Sequence, residues 1–201
     1  MNSVSAVAEV MAIVARPDRE GEILGAINAA ISSSCLRANF AKDLVETSLT
    51  IDPASYGATI QFDNVTPTAL VTRFRKFKYV KRTAVKSYLD PIGSDKLFAN
   101  NNIATRDCYY VGGNNITYLL KDLSPTLEIG YYQYPPILDL VTTTDFWLLD
   151  LAPYAVIDKA AARIFRSIGD DTSAVAYERS AEEFFKIARR DFEDSIQAGA
   201  R

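Results

Sequence analysis

Residues 153–192, PYAVIDKAAARIFRSIGDDTSAVAYERSAEEFFKIARRDF, decide the architecture. Tyr154, Ile157, Ala161, Ile164, Phe165 and Ile168 recur at three- and four-residue intervals, which predicts one apolar face of a helix. Pro153 suits the first position of that helix, where no backbone N–H is needed. Gly169 suits the residue after its end, and Asp170 or Asp171 can cap the next helix. That second helix places Tyr177, Ala181, Phe184, Phe185, Ala188 and Phe192 on its apolar face. So short a link forces the two helices to run antiparallel. Just upstream, Thr143, Thr144 or Asp145 is expected to cap a short helix carrying Phe146, Trp147, Leu148 and Leu149.

The other end of the chain is helical too. Val4, Val7, Ala8, Met11 and Val14 have helical spacing, and Pro17-Asp18 breaks and restarts the chain. Glu20 and Glu22 favour the positive end of a second helix, whose stripe is Ile23, Leu24, Ile27, Ile31 and Cys35. Ala29, Ala30 and the serines at 32–34 make its other faces small and allow close approach of a neighbour.

Between these ends the signals are those of strands. Thr59–Phe62 and Leu70–Val80 are rich in β-branched and aromatic residues, with Pro53, Gly57 and Pro67 between them. Cys108–Val111 and Ile116–Leu120 flank Gly112-Gly113-Asn114-Asn115, residues that tolerate the positive φ of a hairpin turn. Leu127–Tyr134 is a further strand, stopped by Pro135 and Pro136. Gly93–Arg106 is polar and reads as a long loop. The expected fold is therefore α+β, a helical bundle of N- and C-terminal helices with an inserted β-rich lobe of hairpins. Its expected parts are 1–46 (N-terminal helices), 47–142 (the β-rich lobe) and 143–201 (helical hairpin and terminal arm).

Composition excludes several chemistries. A chain of 201 residues without histidine has no Ser-His triad, imidazole base or imidazole metal ligand. With only Cys35 and Cys108 besides, no metal site or disulfide framework is expected; both thiols should be free and buried, in a reducing compartment. No phosphate-cradling Gly-rich loop is present, and no cofactor is expected. No run of 18 apolar residues occurs, so no membrane partner is expected; Glu9 and the lack of early Lys or Arg argue against a signal peptide.

Three surfaces stand out. Positions 71–86 hold seven of the 22 basic residues and no acid, leaving 15 basic against 25 acidic side chains elsewhere. Arg73, Arg75, Lys76, Lys78, Lys81 and Arg82 thus form a basic strand for DNA phosphate or an acidic protein surface, or a solvated edge that resists aggregation. Tyr131, Tyr132 and Tyr134 alternate along a strand, so one set of rings should stay exposed, which marks an interface. Asp139, Asp145 and Asp150, close in sequence and near tyrosines and Trp147, are the carboxylates of a histidine-free hydrolase reading, but a chain with 25 acids offers such a trio readily and Asp145 is better explained as a cap.

The order of the C-terminal motifs resembles the head-to-tail adaptor (connector) proteins of tailed bacteriophages. It runs from the Tyr131-Tyr132 strand through Pro135-Pro136-Ile137-Leu138 to Asp145-Phe-Trp-Leu-Leu149. Pro153-Tyr154, the Ala-rich helix, the Asp170-Asp171 turn and a last helix with Tyr177-Glu178 and Phe184 complete it. The resemblance implies a structural virion protein and not an enzyme, made in the host cytoplasm and resident in the neck of the particle. It implies a ring of identical subunits, usually twelve, docked beneath the portal protein. Such a ring extends a channel through which double-stranded DNA passes without sequence-specific binding, and offers a platform for a tail or nozzle protein. Tyr131, Tyr132, Tyr134 and Trp147 would then serve the subunit interface, and an extended arm with Phe192, Ile196 and Arg201 would grip the portal. Another neck or tail ring component (a stopper or a tail terminator), a carboxylate-based hydrolase and a small nucleic-acid-binding module are the competing readings.

Overall fold

A computed structural model of the chain describes residues 1–50, 59–61, 73–83, 88–93, 107–112, 115–119, 126–141 and 145–198. The helices are α1 (Ser3–Val14), α2 (Glu20–Arg37), α3 (Trp147–Leu151), α4 (Pro153–Ser167) and α5 (Asp171–Ala198). The strands are β1 (Leu44–Thr50), β2 (Thr59–Gln61), β3 (Phe74–Arg82), β4 (Asp90–Pro91), β5 (Cys108–Gly112), β6 (Asn115–Leu119) and β7 (Thr126–Gln133). The fold is α+β, with helices at both termini and a central β lobe. It divides into a helical unit, Met1–Asp43 with Pro135–Arg201, and a strand unit, Leu44–Tyr134.

In the helical unit α4 packs against α1, α2 and α5 and also meets α3. Being surrounded, it buries more than one stripe: Ala155, Val156, Ile157, Ala160, Ala161, Ala162 and Ile164 are all covered. Its alanines let three neighbours approach closely. Tyr154 and Ile168, expected on the buried face, are exposed instead. The face of α1 is likewise turned: Ser3, Ala6, Val7, Val10 and Val14 are buried while Val4 is exposed. Ile23, Ile27, Ile31 and Cys35 of α2 are buried as expected. The α4–α5 link follows its local signals, with Gly169 at φ +83° and Asp170 Oδ1 accepting from the Ser173 N–H at 3.0 Å. Asp145 is not the cap of α3. The residue before that helix is Phe146, which makes no side-chain cap, and Asp145 instead forms an antiparallel bridge with Asn2. Thr143 and Thr144 lie outside the described residues.

The strand unit holds two sheets, ordered β1-β7-β3 and β2-β6-β5-β4. β5 and β6 are the expected hairpin, paired from Cys108↔Leu119 to Gly112↔Asn115; the turn residues Gly113 and Asn114 are outside the described set. So are 94–106 of the expected loop, 70–72 of the basic segment, and Pro53, Gly57 and Pro67. β1 begins at Leu44, so residues 44–46, expected to close the helical region, are strand: Leu44-Val-Glu-Thr-Ser-Leu-Thr50 pairs with β7 from Leu44↔Tyr132 to Thr50↔Thr126. Leu49, Val80, Leu127, Ile129 and Tyr131 of the first sheet share a core with Ile116 and Tyr118 of the second. Both cysteines are buried, one in each unit, and neither is in a disulfide.

Candidate functional site

The basic strand is best understood through its ladder with β7. Lys76 lies opposite Tyr132, Phe77 opposite Tyr131, Tyr79 opposite Gly130, Lys81 opposite Glu128 and Arg82 opposite Leu127. The register shifts twice, between Phe74 and Lys76 and between Phe77 and Tyr79. The six cations therefore fall in different environments. Arg82 is turned to the interior, where its guanidinium meets Asp107 at 2.8 Å with both side chains nearly covered. Lys81 pairs with Glu128 at 2.5 Å, a contact that raises its pKa, and lies 5.4 Å from the centre of the Tyr79 ring. Arg75 stands 5.5 Å over the ring of Tyr132. Arg73, at φ 48°, donates to Gln133 Oε1 at 3.0 Å. Only Lys76 and Lys78 are exposed and make no hydrogen bond or ion pair among the described residues.

A tyrosine governs this sheet face. Tyr79 donates to Glu46 Oε1 at 2.5 Å, and that bond, with burial, pushes its pKa up to about 12. Its ring covers Gly130, where an added Cβ would meet Tyr79 Cε1 at 2.5 Å. Gly130 therefore serves the close approach of an aromatic ring. The acids that hold the basic strand, Glu46, Asp107 and Glu128, escape a reading of local composition because each arrives from another segment. Their signal in the sequence is only that the strands flanking the basic run carry isolated acids.

The aromatic candidates separate in the same way. Tyr131 is 2 % exposed, its ring 5.9 Å from that of Phe74, so it packs within the subunit instead of meeting a neighbour. Tyr132 is half-buried beneath Arg75, and Tyr134 is exposed. Trp147 donates from Nε1 to buried Asp43 at 2.8 Å and meets Phe40 edge-on at 4.9 Å, a brace inside the helical unit. Phe192 and Ile196 belong to α5, which stays helical to Ala198 instead of loosening into an extended arm. No Gly or Pro interrupts the chain between Gly169 and Gly199, so the helix has no reason to stop. Arg201 is outside the described residues.

The carboxylate trio is dispersed among separate tasks. Asp139 Oδ1 accepts from the Val141 N–H at 2.9 Å, the backbone of Asp145 bridges to that of Asn2, and the Asp150 carboxylate pairs with the α-amino group of Met1 at 2.5 Å. Among the described residues no group of three His, Cys, Asp or Glu side chains is placed to hold a metal ion. No helix among them is long and apolar enough to cross a membrane.

A family model described as SU10 adaptor protein matches residues 1–200 of the chain. The chain belongs to the SU10 adaptor protein family. It is thus a phage adaptor, a structural protein of the virion that associates with other proteins of the neck. No curated protein matches it. Membership agrees with the head-to-tail adaptor family that the order of the C-terminal motifs resembles.

Proposed function

We propose that this SU10-family adaptor forms a ring of identical subunits, twelve in number, that docks beneath the portal. The ring extends the DNA channel and presents a platform for the next tail or nozzle protein. The observation that carries this reading is the family match across 1–200. The protein acts by shape and not by catalysis; the separate employment of the Asp139 and Asp150 carboxylates supports this.

The electrostatics suit a channel that does not grip its cargo. The chain carries a net charge of −3, and Lys81 and Arg82 of the basic strand are tied to acids. An acidic wall repels phosphate over about a Debye length, ~10 Å at 0.1 M salt, so that DNA slides without sticking. A ring contact is heterologous, each subunit offering two different patches, and closes by rotation. Repetition around the ring makes docking avid even where a single contact is weak.

The test is to mix the purified chain with purified portal and follow the products by sedimentation and electron microscopy. A ring capping one face of the portal is expected. A chain that stays solitary beside portal, or that assembles only on a stopper or tail protein, overturns the reading. So does a ring whose lumen is lined by Lys76 and Lys78 and retains DNA.

A further inference from the structure

A groove of about 340 Å³ opens between α2, α4 and the first turns of α5. Its floor is small: Ala26, Ala29, Ala30 and Ser33 of α2, with Ala162 of α4. These include the small residues whose spacing on α2 predicts close approach of a neighbour. Along one wall stand Lys159, Arg163 and Arg166, on successive turns of α4. Arg166 is paired with Glu178 of α5 at 2.7 Å. Lys159 and Arg163 make no hydrogen bond or ion pair among the described residues. Lys159 is half-buried; burial first, and then the nearby charge of Arg37, lower its pKa against the opposing pull of Glu182 and Glu178. The acids that act on this partly desolvated ammonium, Glu182 and Glu178, are already paired with Arg37 and Arg166, and Arg163 beside it makes no ion pair among the described residues, so the groove can take a further carboxylate.

The chain itself carries a matching segment. Asp191-Phe192-Glu193-Asp194 places three acids in four residues near the end of α5, against three cations and one acid at the groove. The backbone of α5 carries it away from the groove of its own subunit. α5 runs antiparallel to α4: Glu178 pairs with Arg166 near one end of α4, and Phe184 lies 5.5 Å from Tyr154 at the other. Asp191 follows Glu178 by thirteen residues, ~20 Å along a helix, which carries it past the beginning of α4. A second copy is under no such restriction.

We propose that the groove receives the Asp191–Asp194 segment of a neighbouring copy, so that subunits join head to tail with the carboxylates against Lys159 and Arg163. This rests on the ring reading above and names the two unlike patches that such a ring requires. The small floor of α2 lets the incoming helix approach closely, and the cations fix its register.

Two variants test it: a groove variant, Lys159→Glu with Arg163→Glu, and a segment variant, Asp191→Lys with Glu193→Lys and Asp194→Lys. Each alone should fail to assemble on portal. A one-to-one mixture should assemble, because reversed groove then meets reversed segment and native meets native. Circular dichroism checks that each is folded, and Arg163→Ala, which only removes an exposed charge, serves if the double reversal is not. Separately, a labelled synthetic peptide of residues 186–198 should bind the full chain and lose affinity roughly tenfold in Arg163→Ala. A groove variant that assembles as well as wild type, or a peptide that binds both chains equally, overturns the proposal. A DNA duplex that occupies the groove while the peptide does not also overturns it. If the peptide binds through Arg163 but wild type forms no ring on portal, the ring reading falls and the groove's preference for this segment stands.

Discussion

The helical unit and the strand unit reach stability by different routes. The first closes a core of Ala, Ile, Val and Leu from helices at opposite ends of the chain, with α4 enclosed by its neighbours. Among the described residues the second has few buried aliphatics, grouped around β7, with Tyr118, Tyr131 and the Arg82–Asp107 ion pair beside them. Enclosure of an Ala-rich helix asks only for small volume and close fit. A small two-sheet unit has less apolar surface to bury and leans on specific partners, so its tyrosines and arginines are committed inside the subunit. This is why a conspicuous basic and aromatic segment yields so few side chains to an outside partner.

Substitutions at the centre of each unit sharpen that contrast. The largest effect is expected for Ile157→Ala, fully buried on α4 and held by close packing, with a loss of about 4 kcal/mol in urea unfolding. A loss under about 1 kcal/mol would show that α4 is not tightly enclosed. Next comes Arg82→Ala, which strips Asp107 of its guanidinium in a nearly covered position and should cost about 3 kcal/mol. Adding Asp107→Asn should recover part of that, since the leftover carboxylate charge is then gone; no recovery would mean that the arginine stem and not the ion pair matters.

The smallest effect concerns Asp158, buried in α4, where it accepts from Ser180 Oγ at 2.6 Å. Burial raises its pKa, outweighing the Ser180 bond, and Glu9 adds to the rise. With the folded value above the unfolded one, the group favours the folded state at acid pH. That contribution fades as pH climbs through the folded value. Asp158→Asn removes the charge and keeps an acceptor for Ser180. It should stabilise the helical unit at pH 7 by about 0.5 kcal/mol. Melting curves across pH should show this advantage vanish as the pH falls through the carboxylate range; an advantage that persists in acid would assign it to packing.

Much of the fold is legible locally. Pro153, Gly169 and Asp170 mark the helical hairpin because each acts on the backbone within a residue or two. The β5–β6 hairpin follows from residues that tolerate its tight turn. The surfaces are less legible. Nothing near Arg82 announces Asp107, and nothing in the Tyr131-Tyr132 pair tells which ring is covered, since both facts depend on a ladder between distant strands. β1 passes unnoticed beside stronger helical signals because its seven residues become a strand only through pairing with β7.

The amino-acid sequence alone determines the order of elements, their breaks, the α+β class and, through the order of the C-terminal motifs, the likeness to adaptors. These rest on local backbone preference and on the sign of each side chain, which are properties of short segments. Tertiary structure alone decides which cations remain available, because Gln133, Tyr132, Glu128 and Asp107, brought from other segments, engage Arg73, Arg75, Lys81 and Arg82. It also decides that α4 is buried nearly all round and that Lys159 and Arg163 share a small-floored groove, for both follow from helices far apart in the chain coming together.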